Sequence, residues 1–247
     1  MFKVEEVKKS FKNKEVLKGV SFSIGEGDKV ALLGNNGAGK STLLKIIAGQ
    51  LAANSGKIST SLNYQTEIGM MPQGDILIDD LTVSDLVYLK SKMNQIDSIN
   101  VDEFLDMVEL RDFKNHYVSG LSGGQKRRLS LLLTILNSPK LIFLDEPTTG
   151  QDQKSLENLS MLLSYAAEQG KTIFFCTHDI ELASSLADRI FVLAQGHFVA
   201  VGAPHEIFSN KEVLRMGGLS IPPMLELSEY LGIDPCITVK EVMRHVL

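Results

Sequence analysis

Nine residues near the start of the chain have the composition of a phosphate-binding loop. The first eight match the spacing G-x-x-x-x-G-K-[ST], and the nine are Gly34, Asn35, Asn36, Gly37, Ala38, Gly39, Lys40, Ser41 and Thr42. Glycines let successive backbone N–H groups turn toward one anion, and a following helix adds the positive end of its dipole. In such a loop Lys40 would reach the terminal phosphates and the Ser41 hydroxyl would ligate Mg²⁺. The alternative is a glycine-rich turn between a strand and a helix.

Two adjacent carboxylates, Asp145 and Glu146, follow the apolar run 141–144. Four successive apolar residues indicate a central parallel strand that is buried on both faces. At the tip of that strand, Asp145 is placed to hold Mg²⁺, directly or through water, and Glu146 can face an attacking water. Adjacent carboxylates at a strand end are more often a helix cap or a surface pair. Downstream of a phosphate loop, the metal-and-base interpretation is favoured.

Two further apolar runs end in polar residues that could contact a ligand. Gln73 follows the run 68–71, and His178 follows the run 172–176. Ligand contacts in α/β sheets lie at strand exits. A single Gln on a loop is by default a solvated turn residue, and a single His is more often structural. His178 nevertheless follows the third predicted strand of this chain that ends in polar residues, which favours a role in a ligand site.

The stretch 121–125 starts a helix with two adjacent glycines, which are unfavourable in a helix. Ser122 can cap this helix, but Gly123 and Gly124 lower the stability of the helix. Two such residues at a helix start indicate that they serve another purpose. What they can supply is a second helix terminus that binds an anion.

The elements that must position these residues indicate an α/β fold. We predict a phosphate-loop NTPase core with a mixed, mainly parallel sheet between helices, preceded by an N-terminal antiparallel sheet. A helical subdomain is inserted at about 79–138, where no strand pattern appears, and Thr82 or Ser84 caps its first helix. A hairpin is expected at 190–201, followed by short helices. Phe11 lies at a turn of the N-terminal sheet, where packing and stacking on adenine are equally favoured.

The composition restricts the possible partners and compartment. A net charge of −5 over 247 residues argues against a dedicated nucleic-acid binder. Two cysteines form neither a disulfide framework nor a metal-binding spacing, which fits a reducing compartment. No apolar run approaches the 18 residues of a membrane span. We therefore expect a cytosolic chain, or one held at a membrane by a partner.

In identity, order and spacing, the motifs resemble the ATP-binding-cassette (ABC) ATPase family over residues 1 to about 209. The stretch Leu-Ser-Gly-Gly-Gln at 121–125, the family's signature, is decisive because other phosphate-loop ATPases lack it. The resemblance implies ATP and Mg²⁺ as ligands. It also implies a head-to-tail dimer, homomeric or heteromeric, that holds two ATP molecules. Each phosphate loop then faces the signature of the other subunit.

The resemblance also implies roles for single residues around the metal. Lys40 would bind the β and γ phosphates, and Ser41 and Gln73 would ligate Mg²⁺. Asp145 would hold the metal through water, and Glu146 would be the general base that polarises the attacking water.

Other implied roles concern the γ-phosphate, the adenine and the dimer. His178 would contact the γ-phosphate and the attacking water, and Asp152 would lie in a loop that reports across the dimer. Phe11 stands where the family usually has an adenine-stacking Tyr, and Gln151 stands where it often has an apolar residue. The phosphate site would be completed in trans by Ser122, Gly123, Gly124 and Gln125.

The tail, residues 210–247, is similar to the C-terminal extension of energy-coupling-factor ATPases, which drive bacterial uptake of vitamins, cobalt or nickel. An ordinary helical cap is the alternative. The predicted function is an ATP-hydrolysing subunit at the cytoplasmic face of the membrane. Its partners would be a second ATPase subunit and integral-membrane subunits, with docking through the Gln73 loop and the helical insertion. Alternatives are another ABC importer or exporter, a soluble ABC ATPase acting on DNA, ribosomes or cluster assembly, and a nucleotide-gated scaffold without turnover.

Overall fold

The computed structural model describes residues 1–74, 76–96, 98–150 and 153–246. The fold is α/β and divides into two compact units, residues 1–61 with 174–247 (unit 1) and residues 62–173 (unit 2). None of the helices in these described ranges is both long enough and apolar enough to cross a bilayer.

The strands are, in chain order, β1 (Phe2–Phe11), β2 (Lys14–Ile24), β3 (Lys29–Leu33), β4 (Ser55–Thr60), β5 (Ile68–Met71), β6 (Leu141–Asp145), β7 (Thr172–Cys176), β8 (Arg189–Ala194) and β9 (His197–Gly202). The α-helices are α1 (Lys40–Ile47), α2 (Val83–Met93), α3 (Val101–Met107), α4 (Gly123–Ile135), α5 (Gln153–Glu168), α6 (Ile180–Leu186), α7 (Pro204–Phe208), α8 (Lys211–Gly217), α9 (Pro223–Leu231) and α10 (Val239–Val246). Single 3₁₀ turns lie at Arg111–Phe113 and Val118–Gly120.

Unit 1 contains the predicted N-terminal antiparallel sheet, in the order β2-β1-β4. Phe2 lies opposite Ile24 on one side and Thr60 on the other. The third strand, β4, comes from beyond α1, so the sheet also uses a segment of the chain that follows the phosphate loop.

The phosphate loop follows a strand of a second sheet in the same unit. β3 runs parallel to β8, and β8 runs antiparallel to β9, which forms the predicted hairpin. Phe22 of the antiparallel sheet contacts Phe191 and Phe198 edge to face, with ring centroids 5.3 Å and 5.7 Å away. These aromatic contacts fix one sheet against the other through buried apolar surface.

In unit 2, β5 and β6 are parallel, with Met71 opposite Leu144. The Gln73 and Asp145–Glu146 segments therefore leave the sheet at the same edge. The predicted insertion consists of α2, α3, α4 and the two 3₁₀ turns; within its described residues the extended pairing is the single bridge Thr82–Tyr117. A buried apolar cluster that includes Leu105, Leu129 and Leu132 holds these helices together.

Of the two residues predicted to cap the first helix of the insertion, Thr82 and Ser84, the structure has Thr82 in that position. It is the N-cap of α2, and its hydroxyl accepts a hydrogen bond from the backbone N–H of Asp85 at 3.2 Å. The tail forms α8, α9 and α10 within unit 1. The boundary at residue 209 between cassette and extension stays a prediction.

Replacing Gly34 by alanine should destabilise the chain more than the same change at Gly27. Both glycines have a left-handed φ, 147° and 79°. A methyl group at residue 34 would collide with the Leu193 carbonyl oxygen, whereas one at residue 27 would meet nothing within 4 Å. We expect the free energy of unfolding to fall by about 1 kcal/mol for Gly27→Ala and by at least about 2 kcal/mol for Gly34→Ala. Urea titration measures both values, and equal losses would contradict the steric argument.

Candidate functional site

The phosphate loop connects β3 to α1 and is shaped by its glycines. Gly34, Gly37 and Gly39 all have positive φ, and Gly39 is the N-cap of α1 without a side-chain hydrogen bond. The helix therefore begins without a hydrogen bond to an N-cap side chain. This is the backbone arrangement that a phosphate group recognises.

Lys40 lies across this loop. Its side chain is buried, and its ammonium group donates to the carbonyl oxygen of Gly34 at 2.7 Å and to that of Asn35 at 3.4 Å. The loop thus holds a positive charge at its centre, as the sequence predicts for a residue that reaches phosphates. Ser41 and Thr42 follow it at the first turn of α1 and are half-buried.

Two neighbours support the loop from behind. The Leu193 carbonyl oxygen lies against Gly34, so that only glycine fits there, and the Asn35 side chain lies against Gly218 at the C-terminal end of α8. No pattern in the sequence indicates the second contact. Through it, the start of the tail touches the predicted phosphate site.

His178 is brought close to the phosphate loop by strand pairing inside unit 1. The backbone N–H of Thr177 donates to the carbonyl oxygen of Leu32 at 3.2 Å. His178 therefore follows one strand end and the phosphate loop follows the end of its neighbour. Its side chain is exposed, between buried Thr177 and Asp179, which caps α6. This position agrees with a contact to the γ-phosphate, which stays a prediction.

Phe11 lies at the end of β1 with 47% of its surface exposed. The Lys9 ammonium group is 5.1 Å from its ring centroid, a cation–π contact that orients the ring. An exposed aromatic face is what adenine stacking requires, and this role too stays a prediction.

In unit 2, the predicted metal and base residues lie at two adjacent strand exits. Gln73 is exposed just after β5, whereas Asp145 and Glu146 are buried at the end of β6. Glu146 has a φ of +50°, which is strained for a residue with a side chain. Strain of this kind is kept where the surrounding structure holds a side chain in a set direction.

Arg127 joins these two exits, and the sequence analysis missed it. Its side chain is buried in α4. One terminal nitrogen donates to the carbonyl oxygens of Pro72 (2.5 Å) and Gln73 (3.2 Å). The other donates to those of Asp145 (2.6 Å) and Glu146 (2.8 Å). One feature of the sequence could have indicated that Arg127 is buried: it lies on the same helical face as Leu131 and Thr134, which are both buried.

The signature residues form the N-terminus of α4. Ser122 is the N-cap, as predicted, and completes a capping box with Gln125: the Gln125 N–H donates to the Ser122 hydroxyl at 3.3 Å, and the Ser122 N–H donates to the Gln125 side-chain oxygen at 2.8 Å. Gly123 and Gly124 are the first two residues of the helix. Among the described residues, a methyl group at Gly123 would meet nothing within 4 Å, and one at Gly124 would meet only the Gly150 carbonyl oxygen, at 3.9 Å.

Donor chemistry agrees with a magnesium ion. The predicted ligands, Ser41, Gln73 and Asp145, offer hydroxyl, amide and carboxylate oxygens, which are the donors that this hard cation prefers. Asp152 and Gln151 lie outside the described residues. Unit 1 thus brings together the phosphate loop and His178, and unit 2 brings together Gln73, Asp145, Glu146 and the signature helix.

The sequence matches the profile of the ABC transporter family over residues 17–149. This range contains the phosphate loop, Gln73, the signature stretch and both carboxylates.

Three relatives illustrate the range of the family. An ABC transporter ATP-binding protein of Clostridium acetobutylicum is 34% identical over 245 residues, covering 92% of this chain and 88% of the relative. The Nod factor export ATP-binding protein I of Rhizobium meliloti is 36% identical over 221 residues, covering 84% and 66%. The spermidine/putrescine import ATP-binding protein of Spiroplasma citri is 37% identical over 227 residues, covering 87% and 65%. The chain thus spans about two thirds of the last two, and 37% of a longer relative from Methanosarcina acetivorans.

A solved structure confirms the fold class. It is the dimeric, post-hydrolysis state of an ATP-binding cassette with ADP and Pi bound, and it matches with a TM-score of 0.76 at 30% identity. The match covers 83% of this chain and 99% of that one. The predicted α/β class, the ATP ligand with its magnesium ion and the ATP-hydrolase class are confirmed at the level of the family. The chain belongs to the ABC transporter family of ATP-binding, ATP-hydrolysing cassettes.

Proposed function

We propose that the chain hydrolyses ATP as half of a dimer and so drives a membrane transporter. Each ATP would be bound by the phosphate loop of one subunit and completed by the signature helix of the other. The observation that carries this proposal is the pair Gly123 and Gly124.

Within the part of the chain that the structure describes, no neighbouring atom requires glycine at these two positions. A methyl group fits at either position, and neither residue has a positive φ. Glycine in a helix costs up to about 1 kcal/mol relative to alanine. A close approach from outside the chain explains this composition, because only glycine lets a phosphate reach the N–H groups at the start of α4.

The chemistry assigned to the other residues follows from their positions. Lys40 and the loop N–H groups would bind the phosphates, and Ser41, Gln73 and Asp145 would hold the magnesium ion, which neutralises phosphate charge. Glu146 is a buried residue with 5% of its surface exposed, and its carboxylate would take the proton of the attacking water. His178 would orient the γ-phosphate.

Transport is supported by the surface of the insertion and by the relatives. Ile76, just before the insertion, and Tyr88, Met93 and Tyr117 within it are all more than half exposed. Large apolar side chains that face water are typical of a surface that a partner covers. An integral-membrane partner at the cytoplasmic face would cover them. The partner ATPase subunit would be a second copy or a similar cassette.

The finer proposal is energy-coupling-factor-type uptake of a vitamin or a metal ion. Its support is the sequence pattern of the tail, which forms α8 to α10. Another type of importer or exporter is the second candidate, favoured by relatives that are named for import and for export.

Glu146→Gln should abolish turnover while keeping ATP binding. A general base contributes roughly 100-fold or more to the rate, so phosphate release should fall at least about 100-fold. Because bound ATP persists, the variant should elute as a dimer from a gel-filtration column run in Mg²⁺ and ATP. Glu168→Gln, at an exposed position of α5, is the matched control. Equal hydrolysis by Glu146→Gln and wild type would overturn the assignment of the base.

Gly124→Ala should separate stability from activity. The variant should unfold at the same or a higher temperature, because alanine favours the helix by up to about 1 kcal/mol. ATP hydrolysis should nevertheless be lost, because the methyl group obstructs the phosphate of the opposite subunit. Calorimetry and phosphate release measure the two effects, and a fully active variant would argue against a phosphate at this helix.

Substituting the exposed apolar residues of α2 should release the chain from its membrane partner. Tyr88→Glu with Met93→Glu should bind and hydrolyse ATP but no longer purify with an integral-membrane protein from native membranes, because a buried carboxylate at the interface is costly. Met161→Glu, on an exposed position of α5, is the control. If the wild-type chain does not fractionate with membranes in native cells, the soluble alternatives are favoured.

A further inference from the structure

Arg127 is a buried cation whose side chain donates hydrogen bonds to backbone carbonyls. It is 2% exposed, and its two terminal nitrogens donate to four carbonyl oxygens. Two of these belong to the exit of β5 and two to the exit of β6. One planar guanidinium group therefore sets the spacing and direction of both segments.

The residues held in this way are those proposed to act on the attacking water and on the metal. The carbonyl of Glu146 is fixed on one side by Arg127 and accepts from the Thr149 N–H at 3.3 Å on the other. These bonds stabilise the strained backbone at Glu146, and the backbone sets where the carboxylate points.

The two neighbouring cations make different contacts. Lys126 bonds the carboxylate of Asp79 at 2.8 Å, and Arg128 bonds that of Glu109 at 3.0 Å. Both carboxylates are largely exposed to solvent. Such surface ion pairs contribute little, so three adjacent positive residues of α4 have separable roles.

Arg127 also lies two residues after Gln125, in the first turns of the helix whose N-terminus is the signature. The capping box makes that end of α4 a defined structure. A displacement of the signature end of α4 would therefore reach both strand exits through a single side chain.

We propose that Arg127 is a positioning residue that couples the signature end of α4 to Gln73 and Glu146 of the same chain. This inference rests on the proposed function. ATP bound against the signature of one subunit would, through Arg127, set the base and the metal ligand that serve the other ATP of the dimer.

Arg127→Lys is the sharpest test. Lysine keeps the charge, but its single ammonium group cannot bridge two pairs of carbonyls. We expect kcat for ATP to fall about 100-fold because the base is misplaced, while ATP affinity stays close to that of wild type. The melting temperature should fall modestly, because lysine leaves some of the four carbonyl oxygens without a donor. Arg128→Lys, which keeps the charge next to exposed Glu109, is the matched control and should hydrolyse ATP normally.

Hydrogen exchange on the chain without nucleotide gives a readout independent of activity. The backbone amides of Gln73 and Gly74, and those of 145–149 other than Pro147, should exchange faster in Arg127→Lys and should be unchanged in Arg128→Lys. The inference is overturned if exchange at both exits stays the same, or if kcat is unaffected. It is also overturned if kcat and ATP affinity fall together by similar factors, since that is the pattern of a merely structural residue. If wild type itself fails to hydrolyse ATP, the proposed function fails, and exchange still decides whether Arg127 holds the exits.

Discussion

Four backbone carbonyls at the exits of β5 and β6 accept hydrogen bonds from one buried guanidinium group, and the chemistry of unit 2 depends on this contact. Parallel strands end at the same edge, but the segments beyond them have no ladder to hold them. Arg127 fixes these segments with charge-assisted hydrogen bonds. It belongs to α4, the helix that begins with the signature glycines. The proposed recognition in trans and the proposed chemistry in cis would therefore be linked by one buried side chain.

In unit 1 the constraint is different, because the phosphate loop must expose backbone N–H groups and still keep its shape. Close contact with Leu193 and Gly218 restrains the loop from outside, and Lys40 restrains it from inside. The contact between Asn35 and Gly218 ties the loop to the tail, whose relation to transport is still a proposal. A phosphate loop of this kind is preformed, so little ordering is needed when ATP binds.

Much of this was predictable because local patterns carry the information. The strand, loop and helix around Lys40, the cap at Ser122 and the strand ends at Asp145 and His178 follow from spacing and apolar runs. Arg127 was not predictable, since its partners are backbone carbonyls 18 to 55 residues away, and carbonyls leave no mark in a sequence. The strand β4 was missed as a member of the N-terminal sheet for a similar reason: antiparallel partners need not be neighbours in the chain.

The central claim is that each ATP site is completed by the signature of a second cassette. Complementation between two inactive variants tests it most directly. One chain carries Lys40→Ala and the other carries Gly124→Arg, each in full length, and ATP hydrolysis is measured for each alone and for the mixture. The account predicts that the mixture recovers activity that neither variant has, because its heterodimer contains one intact composite site. A mixture that forms heterodimers but stays inactive would contradict the account.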